Sequence, residues 1–200
     1  LDQDQTPLQK KYNDACDDLG KVIESMNPPG KFPSDPINET DWIAETNRID
    51  TAHEFDLLLI NARAHFDEIE NMDVSSISDD PRIVKKLVAA LAKKEICLEA
   101  IISEIEKIRE GFGLREAFTE YAYDRKNELY TAVTSYFPDM DYDEYDEKIE
   151  QVDTMLTEYA DALIPAGINM TNAGIDPETV YAFYDNAMLV FVKSHWEIEE

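Results

Sequence analysis

The sequence predicts an all-α protein, a single-domain bundle of about six helices with a central third helix. Apolar residues recur at three- and four-residue steps through most of the 200 residues, which is the spacing of one helix face. The nine prolines all fall between these stretches, where a residue without a backbone N–H is tolerated. No strand pattern stands out. A chain of this length can bury a sizeable core as one domain, residues 1–200.

The first helix begins with a strong signal, because Thr6 can cap it and Pro7 suits the first helical position. Its inner stripe consists of apolar residues three or four positions apart: Leu8, Tyr12, Cys16, Leu19, Ile23 and Met26. Asn27, followed by two prolines and a glycine, ends the helix. Residues 27–40 contain four prolines and are predicted to form the one long irregular connector.

The second helix is predicted to begin at Thr40 or Asp41 and to continue to about Met72. Its inner stripe is again apolar at helical spacing: Trp42, Ile49, Ala52, Phe55, Leu59, Ala62, Phe66 and Ile69. Two histidines share faces of this helix with acids three residues away: His53 with Asp50 and Asp56, and His65 with Glu68.

Residues 78–81, Ser-Asp-Asp-Pro, predict the start of the third helix, with a capping side chain, acids near the positive end of the dipole and a tolerated proline. A regular seam follows, and we expect five of its members to be deeply buried: Leu87, Leu91, Leu98, Ile101 and Ile105. The seam is interrupted only at Lys94. Further apolar residues widen the stripe until the middle of the helix is apolar on most sides: Ile83, Val88, Ile96, Cys97 and Ile102. This breadth predicts a central helix.

Two glycines, Gly111 and Gly113, are expected to separate the third helix from a fourth. The fourth is predicted over residues 114–137, and Pro138 closes it.

The fifth helix is predicted over residues 142–164, with the Pro-Ala-Gly sequence that begins at Pro165 as its stop. Asp176 and Pro177 repeat the cap-and-proline signal and open the last helix, whose inner stripe could extend to Ile198.

Charge limits the possible partners. The chain has 18 basic and 44 acidic residues, a formal net charge of −26, and residues 31–80 and 139–200 carry most of it. Such a charge repels phosphate backbones, so we expect no nucleic-acid binding. No apolar run approaches the roughly 20 residues that span a bilayer, so membrane insertion is not expected either. Two interpretations of the acidic surface are left: it is only a solvated face, or it docks a basic protein or peptide.

An acidic run follows Pro138. Its side chains fall on the ligand positions of an EF-hand calcium loop: Asp139, Asp141, Asp143, Glu147 and Glu150. The sixth position of such a loop needs glycine for its sharp turn, and Glu144 stands there. We therefore interpret the run as an acidic N-terminal cap of the fifth helix, expect no tight calcium site, and predict neither a bound metal nor another cofactor.

Tyrosines crowd the same part of the chain, and tyrosine combines a large apolar face with a polar tip suited to interfaces. The candidate binding surface combines them with neighbouring acids: Tyr123, Tyr130, Tyr142, Asp143, Glu144, Tyr145 and Glu147. The alternative for Tyr123 and Tyr130, which fall off the inner stripe of the fourth helix, is that they are half-buried packing residues.

Three function classes follow from these features. The first is a non-enzymatic binding module that docks a basic protein or peptide through its acidic, tyrosine-bearing surface. The second is an acidic inhibitor that places carboxylates in the basic site of a toxin or nucleic-acid enzyme. The third is a helical sensor or carrier with a small apolar cavity. No enzyme is predicted, because nothing in the sequence orients a base toward a nucleophile.

Two features of the chain leave alternatives open. Cys16 and Cys97 could form a disulfide between the first and third helices, or both could be small buried apolar residues. The chain begins at Leu1 without an initiator Met, as in a truncated or a processed mature chain. Removal of a signal peptide would place the protein outside the cytoplasm.

Overall fold

The computed structural model describes residues 6–196, and this part of the chain is 79% helical and contains no strand. The predicted all-α fold is thus confirmed. The described residues form six α-helices: α1 (Pro7–Glu24), α2 (Trp42–Thr46), α3 (Ala52–Glu70), α4 (Pro81–Ser135), α5 (Tyr142–Asn172) and α6 (Pro177–His195). A short 3₁₀ turn, Val74–Ser76, lies between α3 and α4. None of these helices is long and apolar enough to cross a membrane.

Contacts along the chain group it into two compact units, one that ends at Glu110 and one that begins at Gly111. The first unit contains α1, α2, α3 and the first 30 residues of α4, whereas the second contains the rest of α4 with α5 and α6. Each unit has buried apolar side chains of its own.

The core of the first unit includes the predicted seam of α4. All five seam residues are buried, four of them completely, which confirms that prediction: Leu87, Leu91, Leu98, Ile101 and Ile105. The further apolar residues that broaden the stripe are not all packed, because Val88 is 52% and Ile96 is 68% exposed. The extra apolar residues therefore widen the stripe toward solvent instead of enlarging the core.

The predicted second helix is divided in two. α2 begins after Asp41, as expected, but ends at Thr46, and α3 begins only after Thr51. Thr51 and Glu54 form a reciprocal capping box, in which the Thr51 hydroxyl accepts from the Glu54 N–H at 3.3 Å and the Glu54 carboxylate accepts from the Thr51 N–H at 3.1 Å. This box starts a new helix and was readable in the sequence.

The predicted break at Gly111 and Gly113 does not occur, since α4 is one helix of 55 residues. A glycine inside a helix costs about 1 kcal/mol. This cost is small for a long helix that has buried residues both before and after the two glycines along the chain. The predicted third and fourth helices are therefore one element. This merger and the division of the second helix leave the total at six.

The predicted stop at Pro165 is also wrong, because α5 continues to Asn172. Contacts beyond the proline explain the continuation. Gly167 is buried against α6, where an added Cβ would lie 1.9 Å from the Tyr184 hydroxyl. That hydroxyl donates to the Ile164 carbonyl at 3.1 Å. Gly167 thus permits the close approach of two helices instead of ending one.

The second unit packs around α5 and α6. Its fully buried side chains come from all three of its helices, for example Phe118 of α4, Leu156 of α5 and Met188 of α6. Asp176 caps α6 as predicted, because its carboxylate accepts from the Thr179 N–H at 2.9 Å. The possible extension of the inner stripe to Ile198 lies outside the described residues.

Two neighbouring positions of α4 test which face is packed. Leu98→Ala should lower the free energy of unfolding by about 2–5 kcal/mol, because Leu98 is completely buried. Ile96→Ala, two residues away on the exposed face, should change it by about 0.5 kcal/mol or less. Urea unfolding measures both. Equal losses for the two variants would contradict the burial pattern.

Two glycines test the continuity of α4 and α5. Gly111→Ala should stabilise the chain by about 0.5–1 kcal/mol, because Gly111 is helical and an added Cβ meets no atom within 4 Å. Gly167→Ala should destabilise it by about 1–3 kcal/mol, because the new methyl collides with Tyr184. Thermal unfolding with circular dichroism measures both. A destabilised Gly111→Ala variant would indicate that the chain needs a glycine conformation there.

Candidate functional site

The first two turns of α5 form the most exposed part of the predicted surface. All residues from Asp141 to Glu147 are exposed, and Tyr142 is 76% exposed. We call residues 141–147 the acidic turn, because five of the seven are Asp or Glu. The Tyr145 side chain is 37% exposed and makes an edge-to-face contact with Phe137, with ring centroids 6.4 Å apart.

The other two candidate tyrosines are placed differently. Tyr123 and Tyr130 are half-buried and pack against the core of the second unit. This placement agrees with the alternative that they are packing residues and not part of a binding surface. The Tyr123 hydroxyl donates to the Asp161 carboxylate, and the Lys126 ammonium lies 5.4 Å from the centre of the Tyr123 ring. The Tyr123 hydroxyl and ring are thus engaged within the second unit. Five of the seven candidate residues lie together in the acidic turn: Tyr142, Asp143, Glu144, Tyr145 and Glu147.

The residues of the candidate calcium loop belong to the start of α5. Asp141 is the N-cap, and its carboxylate accepts from the Glu144 N–H at 3.1 Å. Asp143 and Glu144 lie in the first helical turn, where the helix dipole favours acids. Across residues 6–196, no group of three or more His, Cys, Asp or Glu side chains is arranged to hold a metal ion. Asp139, Glu147 and Glu150 are exposed.

A buried polar cluster in the first unit was not predicted from the sequence. Three carbonyl groups of the irregular connector, at alternate residues Pro36, Asn38 and Thr40, accept from buried side chains of two helices. Gln9 donates to the Thr40 carbonyl at 3.3 Å, and Tyr12 donates to that of Asn38 at 2.6 Å. The Lys94 ammonium donates to that of Pro36. Pro36 is buried and Asn38 and Thr40 are half-buried, and the Thr40 carbonyl also accepts from the Trp42 backbone N–H at 3.0 Å. For Pro36 and Asn38 these side chains supply a partner that no helix or sheet provides.

Lys94 is completely buried, which is rare for lysine. Its ammonium lies 5.3 Å from the centre of the Tyr12 ring, and no carboxylate of residues 6–196 is within ion-pairing distance of it. Burial lowers the pKa of Lys94, because the charged form loses its hydration, while Cys16 and Asp35 act in the opposite direction. The interrupted seam was the only sign of this group in the sequence.

The two cysteines are both free, so the disulfide alternative does not apply to this structure. Cys16 is buried beside the polar cluster, and its thiol lies 3.9 Å from the Asn38 carbonyl oxygen. Burial raises the pKa of Cys16, whereas the nearby Lys94 ammonium lowers it. Cys97 is half-buried rather than buried.

A cleft of about 490 Å³ opens beside this cluster. It is lined by residues of the connector, α2 and α3: Asn38, Thr40, Trp42, Glu45, Leu58, Asn61, Ala64, His65 and Glu68. Trp42 links the cleft to the cluster, because its indole N–H donates to the Tyr12 hydroxyl at 3.4 Å and its ring stacks on that of His65, with centroids 6.5 Å apart. The cleft therefore depends on the ordered connector.

His65 is 4% exposed and forms part of the cleft wall. Its Nδ1 lies 3.7 Å from a Glu68 carboxylate oxygen, so the pair on one helix face expected from the sequence is present. Its Nε2 is buried and has no hydrogen-bond partner among the described residues. Burial, followed by the Lys94 charge, lowers the pKa of His65 and keeps the ring neutral at pH 7.

Comparisons of the chain with protein-family models, with curated proteins and with solved structures found no match.

His65 should make stability depend on pH. Its pKa is lowered from the ordinary value of 6.5, so the unfolded chain binds more protons. The stability contributed by the neutral ring is fully present above pH 6.5 and is lost as the pH falls through the folded pKa. Between about pH 7.5 and pH 5, the natural chain should lose more free energy of unfolding than His65→Gln.

His53 provides the control, because it is exposed on the same helix. His53→Gln should follow the natural chain across the same pH range in urea unfolding. If His65→Gln and His53→Gln give parallel stability curves, His65 is not held neutral by its surroundings.

Proposed function

We propose that the chain is a non-enzymatic binding module that docks a basic protein or peptide through the acidic turn. The single observation that carries this proposal is that all seven residues 141–147 are exposed, with Tyr142 76% exposed between carboxylates. An exposed aromatic side chain surrounded by charges of one sign is typical of a surface that binds a partner.

The charges of the acidic turn favour a cationic partner. Within residues 6–196, the one ion pair made by this turn joins Glu144 to Lys148 at 3.4 Å, and Asp143 and Glu147 have none. Their carboxylates are therefore available to lysine or arginine side chains of a partner. The ring of Tyr142 adds a face on which a guanidinium or ammonium group can stack. The combination suits a basic peptide better than a neutral one.

The net charge of the whole chain supports the same partner class through kinetics. A charge of −26 attracts a basic molecule over a Debye length and raises its rate of encounter. Charges at the edge of an interface act mainly on association and make it sensitive to salt. Binding should thus be fast and weaken steeply as ionic strength rises.

A labelled peptide of five Gly-Lys repeats provides a basic probe. The triple variant Asp143→Asn, Glu144→Gln, Glu147→Gln should weaken its binding about tenfold, because three local charges worth a few tenths of a kcal/mol each are lost. Tyr142→Ala should weaken it further without changing stability. Fluorescence anisotropy measures the affinity at about 0.05 M and 0.5 M salt, where screening lengths differ several-fold.

The matched control removes the same number of charges elsewhere. Asp67→Asn, Glu70→Gln, Glu99→Gln changes three exposed acids of the first unit and should alter the affinity less than about twofold. If both triple variants weaken binding equally, only net charge matters. An affinity that does not depend on salt would also contradict the proposal and would make the acidic turn a solubility feature.

A further inference from the structure

We infer that the cleft beside His65 binds an organic cation with N–H donors, namely a guanidinium or primary ammonium group on a short apolar stem. The cation could be a small molecule or a side chain of a peptide. This inference is independent of the proposed function, because the cleft lies in the first unit and the acidic turn in the second.

The strongest indication is the unsatisfied Nε2 of His65. His65 lines the cleft, and a buried polar atom without a partner costs about 1–3 kcal/mol, a cost that a hydrogen-bond donor bound against this residue would remove. The Glu68 carboxylate near Nδ1 favours the tautomer in which Nδ1 carries the proton. Nε2 is then a lone-pair acceptor, and the group that satisfies it must be a hydrogen-bond donor.

The charged residues of the cleft have the same preference. Glu45 and Glu68 both line it, and their side chains are 42% and 50% exposed, so each retains contact with solvent. Glu45 is held on one side by Arg48 at 3.2 Å. Among the described residues, no lysine or arginine lines the cleft. The two charged side chains that line it are thus both acidic, which favours a cation over a carboxylate or phosphate, and the Lys94 charge that acts on His65 opposes this preference only in part.

The apolar residues of the cleft limit the shape of the ligand. Leu58 and Ala64 of α3 line it together with the ring of Trp42. These surfaces can pack against a chain of three or four methylene groups, as in the stems of arginine and lysine. A volume of about 490 Å³ falls in the range of small-ligand sites. Asn61, which also lines the cleft, can accept a further hydrogen bond through its side-chain oxygen.

Titration with n-butylguanidinium and n-butylammonium tests the inference on the full chain. The readout is the NMR signal of the Trp42 indole N–H and the Nε2 resonance of His65. Both cations should shift these signals and saturate them with a Kd of about 1 mM, which is reasonable for ligands of this size. Neutral n-butanol at the same concentrations should not.

The peptide acetyl-Gly-Arg-Gly-amide distinguishes the two sources of the cation. Tighter binding of this peptide than of n-butylguanidinium would identify a peptide side chain as the ligand, and the reverse order would identify a small molecule. If neither n-butylguanidinium nor the peptide gives saturable shifts up to about 50 mM, the inference is overturned, because any remaining affinity would be far weaker than that of a specific site.

Two isosteric variants locate the binding. Glu68→Gln should weaken n-butylguanidinium binding about fivefold, because it removes one carboxylate from the cleft, and the half-exposed position should tolerate the isosteric change. Glu70→Gln is the control, since Glu70 is exposed on α3 but does not line the cleft. It should change the affinity less than about 1.5-fold. Equal effects of the two variants would show diffuse attraction to an acidic protein and would overturn the inference.

The outcome is separable from that of the proposed function. Tyr142→Ala, which alters the acidic turn, should leave binding of n-butylguanidinium at the cleft unchanged. A parallel loss in the Tyr142→Ala and Glu68→Gln variants would contradict a separate site.

Discussion

The first unit depends on how the irregular connector obtains hydrogen-bond partners for its buried backbone. A segment rich in proline cannot satisfy its carbonyl groups by forming a helix, and leaving them unpaired costs about 1–3 kcal/mol each. Tyr12 and Lys94 donate to the carbonyls of Asn38 and Pro36, and Gln9 adds a second donor to the Thr40 carbonyl, which also accepts from the Trp42 N–H. The connector is thereby held against α1 and α4, at the expense of burying a lysine whose pKa burial lowers.

The same arrangement creates the cleft. Trp42 follows the connector directly, donates to the Tyr12 hydroxyl and stacks on His65. The Tyr12 hydroxyl, which donates to the connector, therefore also positions the Trp42 ring that forms one wall of the cleft. The Trp42 ring in turn packs on His65, whose buried Nε2 has no partner among the described residues. The second unit has no such constraint in its described part, because its core is a cluster of apolar and aromatic side chains on three helices.

Local signals in the sequence predicted local structure well. The caps at Thr6 and Asp176 were identified, Asp41 was one of two candidates for the cap of α2, and the capping box at Thr51 was readable but not predicted. The predicted breaks at Gly111, Gly113 and Pro165 were wrong, because a cost of a few kcal/mol is small beside packing that the sequence does not display. Gly167 is the clearest case, since its role is contact with a side chain 17 residues away. The Lys94 interruption was visible, but its acceptor is 58 residues distant, and no periodicity identifies such a partner.

The most direct test of this account is amide hydrogen exchange in the connector of a Lys94→Met variant, measured by NMR. Methionine keeps the length of the side chain but cannot donate to the Pro36 carbonyl. The account predicts at least about tenfold faster exchange at Ile37 and Thr40, equivalent to roughly 1.4 kcal/mol of local stability, with unchanged exchange in α5 and α6. Exchange at Ile37 and Thr40 as slow as in the natural chain would contradict it, because the connector would then be ordered without the buried ammonium.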